Sequence, residues 1–217
     1  MPATLVAITQ PLIKTKDNSR YLTAEEFISY CARVSNPSNQ LNTETASRLL
    51  AYCIKHKHWS IFEQISCTFE IQTSRAIAAQ ILRHRSFSFQ EFSQRYATTT
   101  GVEELEWRKQ GKTNRQVGDE EVELDTLLSC KVEQAQRLAL EAYEELIDKG
   151  IARECARMIL PLNTSTTLYM NGTVRSWLHY LELRTKEDTQ KEHRDIALDI
   201  LKAFKENFPS ICEALGW

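Results

Sequence analysis

Between Arg83 and Tyr96 the chain reads Arg-His-Arg-Ser-Phe-Ser-Phe-Gln-Glu-Phe-Ser-Gln-Arg-Tyr. A guanidinium stays charged at any pH a protein meets and must be paired if it is buried. A core segment would therefore not carry Arg83, Arg85 and Arg95. A solvated surface, for its part, would not need Phe87, Phe89 and Phe92. The mixture suits a pocket that holds an anion and a flat ring together, with Arg forks for phosphate and aromatic faces for stacking. On composition alone the stretch reads equally as a sheet edge or loop with surface arginines.

A second polar cluster lies on a helix predicted from Thr173 to about Leu183. Arg175, His179 and Glu182 fall at i, i+4 and i+7 on one face. Thr173, Trp177, Tyr180 and Arg184 fall on the adjacent face, and Val174, Leu178 and Leu181 supply the buried side. Such a helix is either a solvated face with an i,i+4 pair or one that turns its N-terminus and polar side to a ligand. Other routes to chemistry are closed. No G-x-G-x-x-G, Walker A or G-x-S-x-G motif occurs, so a phosphate-bearing cofactor would be held by side chains and other backbone amides. His56, His58, His84, His179 and His193 have no Cys or carboxylate at ligand spacing beside them, so no metal is expected. Six cysteines form no Cys-x-x-Cys. They read as free thiols of a reducing, cytoplasmic setting. Cys53, Cys67 and Cys155 are placed on apolar stripes, as core thiols rather than nucleophiles.

These residues need elements to hold them. Leu5 to Thr9 is β-like. Thr23-Ala-Glu-Glu26 is a capping box for a helix to about Val34. A second helix is expected from near Asn42, with Ala46, Leu49, Leu50, Cys53 and Ile54 on one stripe. His56 to Ser60 is a polar loop. Ile65, Cys67, Phe69 and Ile71 alternate with polar residues, as in a half-buried strand. Thr73 or Ser74 caps a third helix that runs into Arg83-His84-Arg85. Gly101 to Glu123 loses all periodicity and reads as a long mobile loop. Leu124 to Ile147 is a long amphipathic helix stopped by Lys149-Gly150, and Ile151 to Ile159 a short one. Thr166 to Met170 is a strand closed by an Asn171-Gly172 turn. A last helix spans Asp188 to Asn207, where Pro209 ends it. The sum is a single helix-rich α+β domain over residues 1–217 with a small antiparallel or mixed sheet.

The bulk composition agrees. A chain of 217 residues supports one domain with a real core. Its net charge of -2 weighs against bulk DNA or RNA binding. No apolar run approaches the roughly 20 residues of a membrane span, and Met1 to Gln10 has no signal-peptide pattern.

Arg83-His84-Arg85, seven residues and then Ser93 resembles the signature of flavin-dependent thymidylate synthases. His58-x-Ser60-x-Phe62-Glu63, Gln80-x-x-Arg83, Arg157-x-x-Leu160-Pro161, and Ser176 with Leu183-Arg184 stand in that family's order. The resemblance implies conversion of dUMP to dTMP, with methylenetetrahydrofolate as carbon donor and NADPH as reductant through FAD. It implies that Gln80, Arg83, Glu91, Phe92, Ser93, Gln94, Arg95, Arg157 and Arg184 bind dUMP, and that Arg184 is catalytic. It places Ser60, Arg83, His84, Arg85, Glu91, Thr173, Val174, Arg175 and His179 on FAD, and His58 at the border of the flavin and folate pocket. Thr173 and His179 depart from the pattern, standing where some relatives carry asparagine. The resemblance also implies a homotetramer with composite sites. Two rivals stand beside it. One is an RNA-binding module that stacks bases on the 83–96 aromatics. The other is a classical folate enzyme with a cysteine nucleophile, for which no cysteine here sits in an activating motif.

Overall fold

The computed structural model describes residues 2–99 and 101–217; Met1, at the head of the N-terminal segment, lies outside them. In chain order the elements are β1 (Ala3–Ile8), α1 (Ala24–Ala32), α2 (Ala46–Lys55), β2 (Ser66–Ser74), α3 (Arg75–Ile81), β3 (Ser88–Glu91), β4 (Arg108–Gln110), β5 (Gly118–Glu121), α4 (Thr126–Asp148), α5 (Arg153–Ala156), β6 (Ser165–Thr173), α6 (Val174–Arg184), α7 (Lys191–Asn207) and α8 (Pro209–Leu215). Short 3-10 turns cover Trp59–Glu63 and Arg157–Ile159. The main sheet has the order β1-β2-β6-β3, and every pairing in it is antiparallel.

Alternation along the two central strands decides which way the sheet faces. Cys67, Phe69 and Ile71 of β2 pair with Gly172, Met170 and Leu168 of β6, and all six are buried. The intervening positions carry polar pairs, with Tyr169 Oη donating to Glu70 at 2.7 Å and Asn171 Nδ2 to Thr68 at 2.7 Å. The apolar face is covered by α6 and by the stripe of α7 formed by Ile196, Ala197, Ile200 and Phe204. Trp177, fully buried, meets Phe69 and Phe87 edge-on at centroid distances of 4.9 and 4.6 Å. Each such pair is worth about 0.5–1.5 kcal/mol beyond its buried area.

The capping box at Thr23 forms as expected, both halves included. Ser74, not Thr73, caps α3. Elsewhere local patterns yield to tertiary partners. The second helix begins at Ala46 because the Arg33 guanidinium takes the Asn42 carbonyl and the Thr45 hydroxyl, holding 42–45 in a turn. The 101–123 stretch contains the β4–β5 hairpin, tied by Lys109–Glu120 at 2.9 Å and anchored to α7 through Arg108 and Glu192. Ile151 to Ile159 breaks into α5 and a 3-10 turn. Asn171-Gly172 is no turn: β6 runs through it, and the missing side chain at Gly172 leaves room for the Phe87 ring. The helix expected to stop before Pro209 does end at Asn207, but it is not the last: Pro209 opens α8 as its first residue, where its missing N–H costs nothing. The backbone N–H of Ile211 in α8 donates to buried Glu25 at 2.8 Å.

Candidate functional site

β2 and β6 are antiparallel, and each runs into its helix with no intervening residue. Helices α3 and α6 therefore leave the sheet from opposite ends and converge at their C-termini. There the Arg184 Nε donates to His84 Nε2 at 3.0 Å. Unpaired carbonyls at the C-terminus of α6 make that end a favourable place for the Arg184 cation. A cavity of about 670 Å³ opens beside the pair, lined by Gln80, Arg83, His84, Gln116, Arg184, Asp188, Thr189 and Gln190.

His84 is held neutral. Burial lowers its pKa to about 4, and the nearby Arg184 charge adds to the effect. An imidazole that accepts at Nε2 carries its proton on Nδ1. Behind it lies His193 of α7, with no exposed surface and a pKa lowered to about 3 by burial, then by Arg184 and His84. Unfolded, both rings take up a proton near pH 6.5. Folded, they do so only near 4 and 3. Below pH 6.5 the unfolded chain thus binds more protons, so stability rises with pH and is lost as pH falls from 6.5 toward 3. We expect denaturant titrations to show about 1–3 kcal/mol lost between pH 7 and pH 5, with a shallower slope in His193→Asn. Parallel slopes in the two proteins would show that His193 is not the titrating group.

A second recess, of about 400 Å³, lies along the other side of α6, lined by Lys57, Trp59, His179, Glu182 and Trp217 among others. Trp59 meets His179 edge-on at 5.3 Å, and Arg175 pairs with Glu63. One helix thus borders both recesses, with His179 and Arg184 five positions apart, a rise of about 7.5 Å.

The Thy1 family model, described as thymidylate synthase complementing protein, matches residues 19–210. The chain is 51% identical, over all of both chains, to a probable flavin-dependent thymidylate synthase of Paramecium bursaria Chlorella virus 1. It is 48% identical, again over all of both chains, to a flavin-dependent thymidylate synthase of Synechocystis sp.. The chain belongs to the flavin-dependent thymidylate synthase family. A crystal structure of the UMP/dUMP methylase PolB from Streptomyces cacaoi, bound with 5-Br dUMP, is similar at a TM-score of 0.80 and 26% identity, covering 99% of this chain and 94% of that one.

Within this family, the chain gathers Gln80, Arg83, His84 and Arg184 around one cavity. Arg85 is exposed in the same turn. Glu91 ends β3 and is engaged by Arg75 at 2.6 Å and Thr166 at 3.1 Å. Phe92, Ser93, Gln94 and Arg95 come next, outside the lining of the 670 Å³ cavity, as is Arg157 in its 3-10 turn. Gln94 Nε2 and Arg157 Nε are buried without a hydrogen-bond partner among the described residues. His58 and Ser60 are exposed at the 59–63 turn. Thr173 caps α6, its hydroxyl accepting from the Ser176 N–H at 3.4 Å. Val174 is fully buried, and its N–H donates to the Ile65 carbonyl at 2.8 Å.

Several expectations need correction. Trp177 and Tyr180 do not share a polar face with Arg184 but are core residues. Phe87 is buried and offers no stacking face, and Phe89 is half-buried against the core. Cys155 is exposed rather than on an apolar stripe. Cys67 and Cys212 are buried, their thiols pushed up by burial to about 12 and about 11. Arg75 escaped sequence reading, although a cation in the first turn of a helix opposes the dipole and so asks for a partner. Gln190 and His193 were also missed, although His193 shares the apolar stripe of Ile196, Ala197 and Ile200.

Proposed function

We propose that this protein converts dUMP to dTMP, taking the carbon from methylenetetrahydrofolate and reducing equivalents from NADPH through FAD. The Arg184–His84 pair at the meeting of two helix ends, beside Gln80 and Arg83, carries this reading. Arg83 and Arg85 stand exposed in one turn without an ion-pair partner among the described residues. Two such forks suit a nucleotide phosphate and a dinucleotide pyrophosphate. FAD, when bound, supplies the redox chemistry.

The chain's own residues prepare the pyrimidine. Arg184 keeps its terminal N–H groups for a ligand while His84 fixes its Nε. A guanidinium within hydrogen-bond reach of uracil N3 favours the N3 anion, the more so as water is excluded. The anionic ring is richer in electrons at C5, the carbon that must attack the methylene group. Neutral His84 matters here because an imidazolium would compete with Arg184 for the same anion.

The expected nucleotide ligands fall into two groups. Gln80, Arg83 and Arg184 line the cavity; Ser93, Arg95 and Arg157 do not. A second copy of the chain would complete the site. Surface apolarity supports assembly: Leu127, Leu138, Met158 and Leu162 are 68%, 51%, 79% and 76% exposed. We read a homotetramer with composite sites, cytoplasmic, with no nucleic-acid partner. Burial of Phe87 takes one ring of the 83–96 stretch out of any stacking surface, and the net charge of -2 weighs against RNA binding. No described helix is long and apolar enough to cross a membrane.

The test is dTMP formation with dUMP, methylenetetrahydrofolate, NADPH and FAD, each omitted in turn. Loss of product on every omission is expected; full activity without FAD or NADPH overturns the proposal. Mixing inactive Arg184→Ala and Arg157→Ala subunits should restore part of the activity, whereas a fully active monomer in sedimentation would sink the composite site.

A further inference from the structure

The buried stripe of α7 is mostly apolar, yet it places an imidazole with no exposed surface among Ile196, Ala197 and Ile200. An aliphatic residue at 193 would continue the stripe of Ile196, Ala197 and Ile200 without desolvating a polar ring. Both nitrogens of His193 are occupied: Nε2 lies 3.0 Å from the Tyr180 hydroxyl and Nδ1 3.4 Å from Gln80 Oε1.

The direction of these bonds is set from their far end. The Glu192 carboxylate is paired with Arg108, so it can only accept, and it takes Gln190 Nε2–H at 2.9 Å. Gln190 therefore turns Oε1 to Gln80 and accepts Gln80 Nε2–H at 2.6 Å. Gln80 then offers Oε1 to His193, which must donate from Nδ1. A neutral ring protonated there accepts at Nε2, so the Tyr180 hydroxyl is the donor. One ionised carboxylate on α7 thus sets the sense of four successive bonds, ending at a buried phenol.

We propose that His193 is a positioning residue that fixes the side-chain amide of Gln80, so that its second N–H is presented to an acceptor oxygen of the pyrimidine nucleotide in the cavity. This inference rests on the reading of Gln80 as a nucleotide ligand. The two ends of a glutamine amide are nearly equal in shape and opposite in hydrogen-bond sense. The Gln190 bond settles which end of the Gln80 amide faces it, but one bond leaves the amide plane free to swing; the second contact, from His193 Nδ1 to Oε1, holds the plane and aims the remaining N–H. With no exposed surface, His193 acts through Gln80 and touches no substrate itself.

Substitutions separate the two nitrogens. An asparagine amide nitrogen can stand where Nδ1 stands and donate to Gln80; a glutamine reaches the place of Nε2 instead. The experiment measures dUMP dissociation constants on FAD-loaded protein from the change in flavin absorbance, together with KM, kcat and flavin content. For His193→Phe and His193→Gln, the dissociation constant and KM for dUMP should rise about three- to tenfold, the loss of one neutral hydrogen bond. Flavin content and kcat at saturating dUMP should hold. His193→Asn should stay within about twofold of wild type, a rescue that bulk packing would not give. Equal affinities in the Asn and Gln variants would overturn the inference, and that comparison decides the matter even if His193→Phe fails to fold. Gln80→Ala separates the layers. If it binds dUMP as wild type does, the reading of Gln80 as a ligand fails, and this inference with it. If Gln80→Ala weakens binding while the His193 series stays flat, only the role of His193 is lost.

Discussion

Arg184→Lys is expected to lower dTMP formation by about two to three orders of magnitude, the scale of losing a placed donor at a developing charge, while the protein keeps its fold and its flavin. Lysine preserves the positive charge at the end of α6 but not the planar fork. It cannot donate to His84 from the Nε position and still present two parallel N–H groups to a pyrimidine edge. The Arg184–His84 bond at 3.0 Å is therefore the feature the substitution dissects. Melting temperature should change little, since Arg184 lies at a helix end and outside the core. NADPH oxidation should persist at least in part, because the proposed role is on the pyrimidine. Product assays at saturating dUMP, set beside flavin absorbance and NADPH consumption, check all three points. Near wild-type dTMP formation would reduce Arg184 to a general electrostatic contribution.

Gly172→Ala is expected to destabilise the protein by about 1–3 kcal/mol through overpacking alone. A Cβ built there would stand 2.5 Å from Phe87 Cε1 and closer still to Cδ1. The ring has nowhere to go, because Trp177 and Tyr180 pack on it at 4.6 and 5.9 Å. Strand backbone at 172 places no demand for a left-handed conformation, so the cost is steric. For a chain of this size the melting temperature should fall by roughly 3–10 °C. Phe87→Leu, by vacating ring volume, should recover part of the loss when combined with Gly172→Ala, a coupling expected only of residues in contact. A melting curve for Gly172→Ala within about 1 °C of wild type would show that the sheet relaxes around the added methyl.

The same pair of residues shows where sequence reading stops. Asn171-Gly172 is a strong turn signal locally, and it gives way because β2 pairs with β6 through Thr173 while β3 pairs with its other edge as far as Asn171. Phe87 sits in a polar, arginine-rich stretch, and only the tertiary position of Trp177 makes it core. By contrast, the Thr23 capping box, the alternation of β2 and the long α4 were legible, because period and capping are local properties. Gln80, Arg83, His84 and Arg184 were legible as site residues through the family resemblance their motifs carry. Their meeting was not, because it depends on which strand pairs with which. Gln190 and His193 carry no motif, and their part emerges only from a chain of side-chain bonds across α3, α6 and α7.

The direct passage from strand to helix at Ser74–Arg75 and again at Thr173–Val174 leaves the chain no slack at either place. A loop absorbs an added residue by bulging; these junctions have no loop. One residue inserted in the last turn of α6 would rotate the residues beyond it by about 100° and advance them by about 1.5 Å, carrying Arg184 away from His84. One inserted in β2 would send its alternate side chains to the wrong face of the sheet. Tolerance to length change is thereby confined to segments such as the tip of the β4–β5 hairpin, and the distance between the two halves of the site is set by strand register as by a ruler.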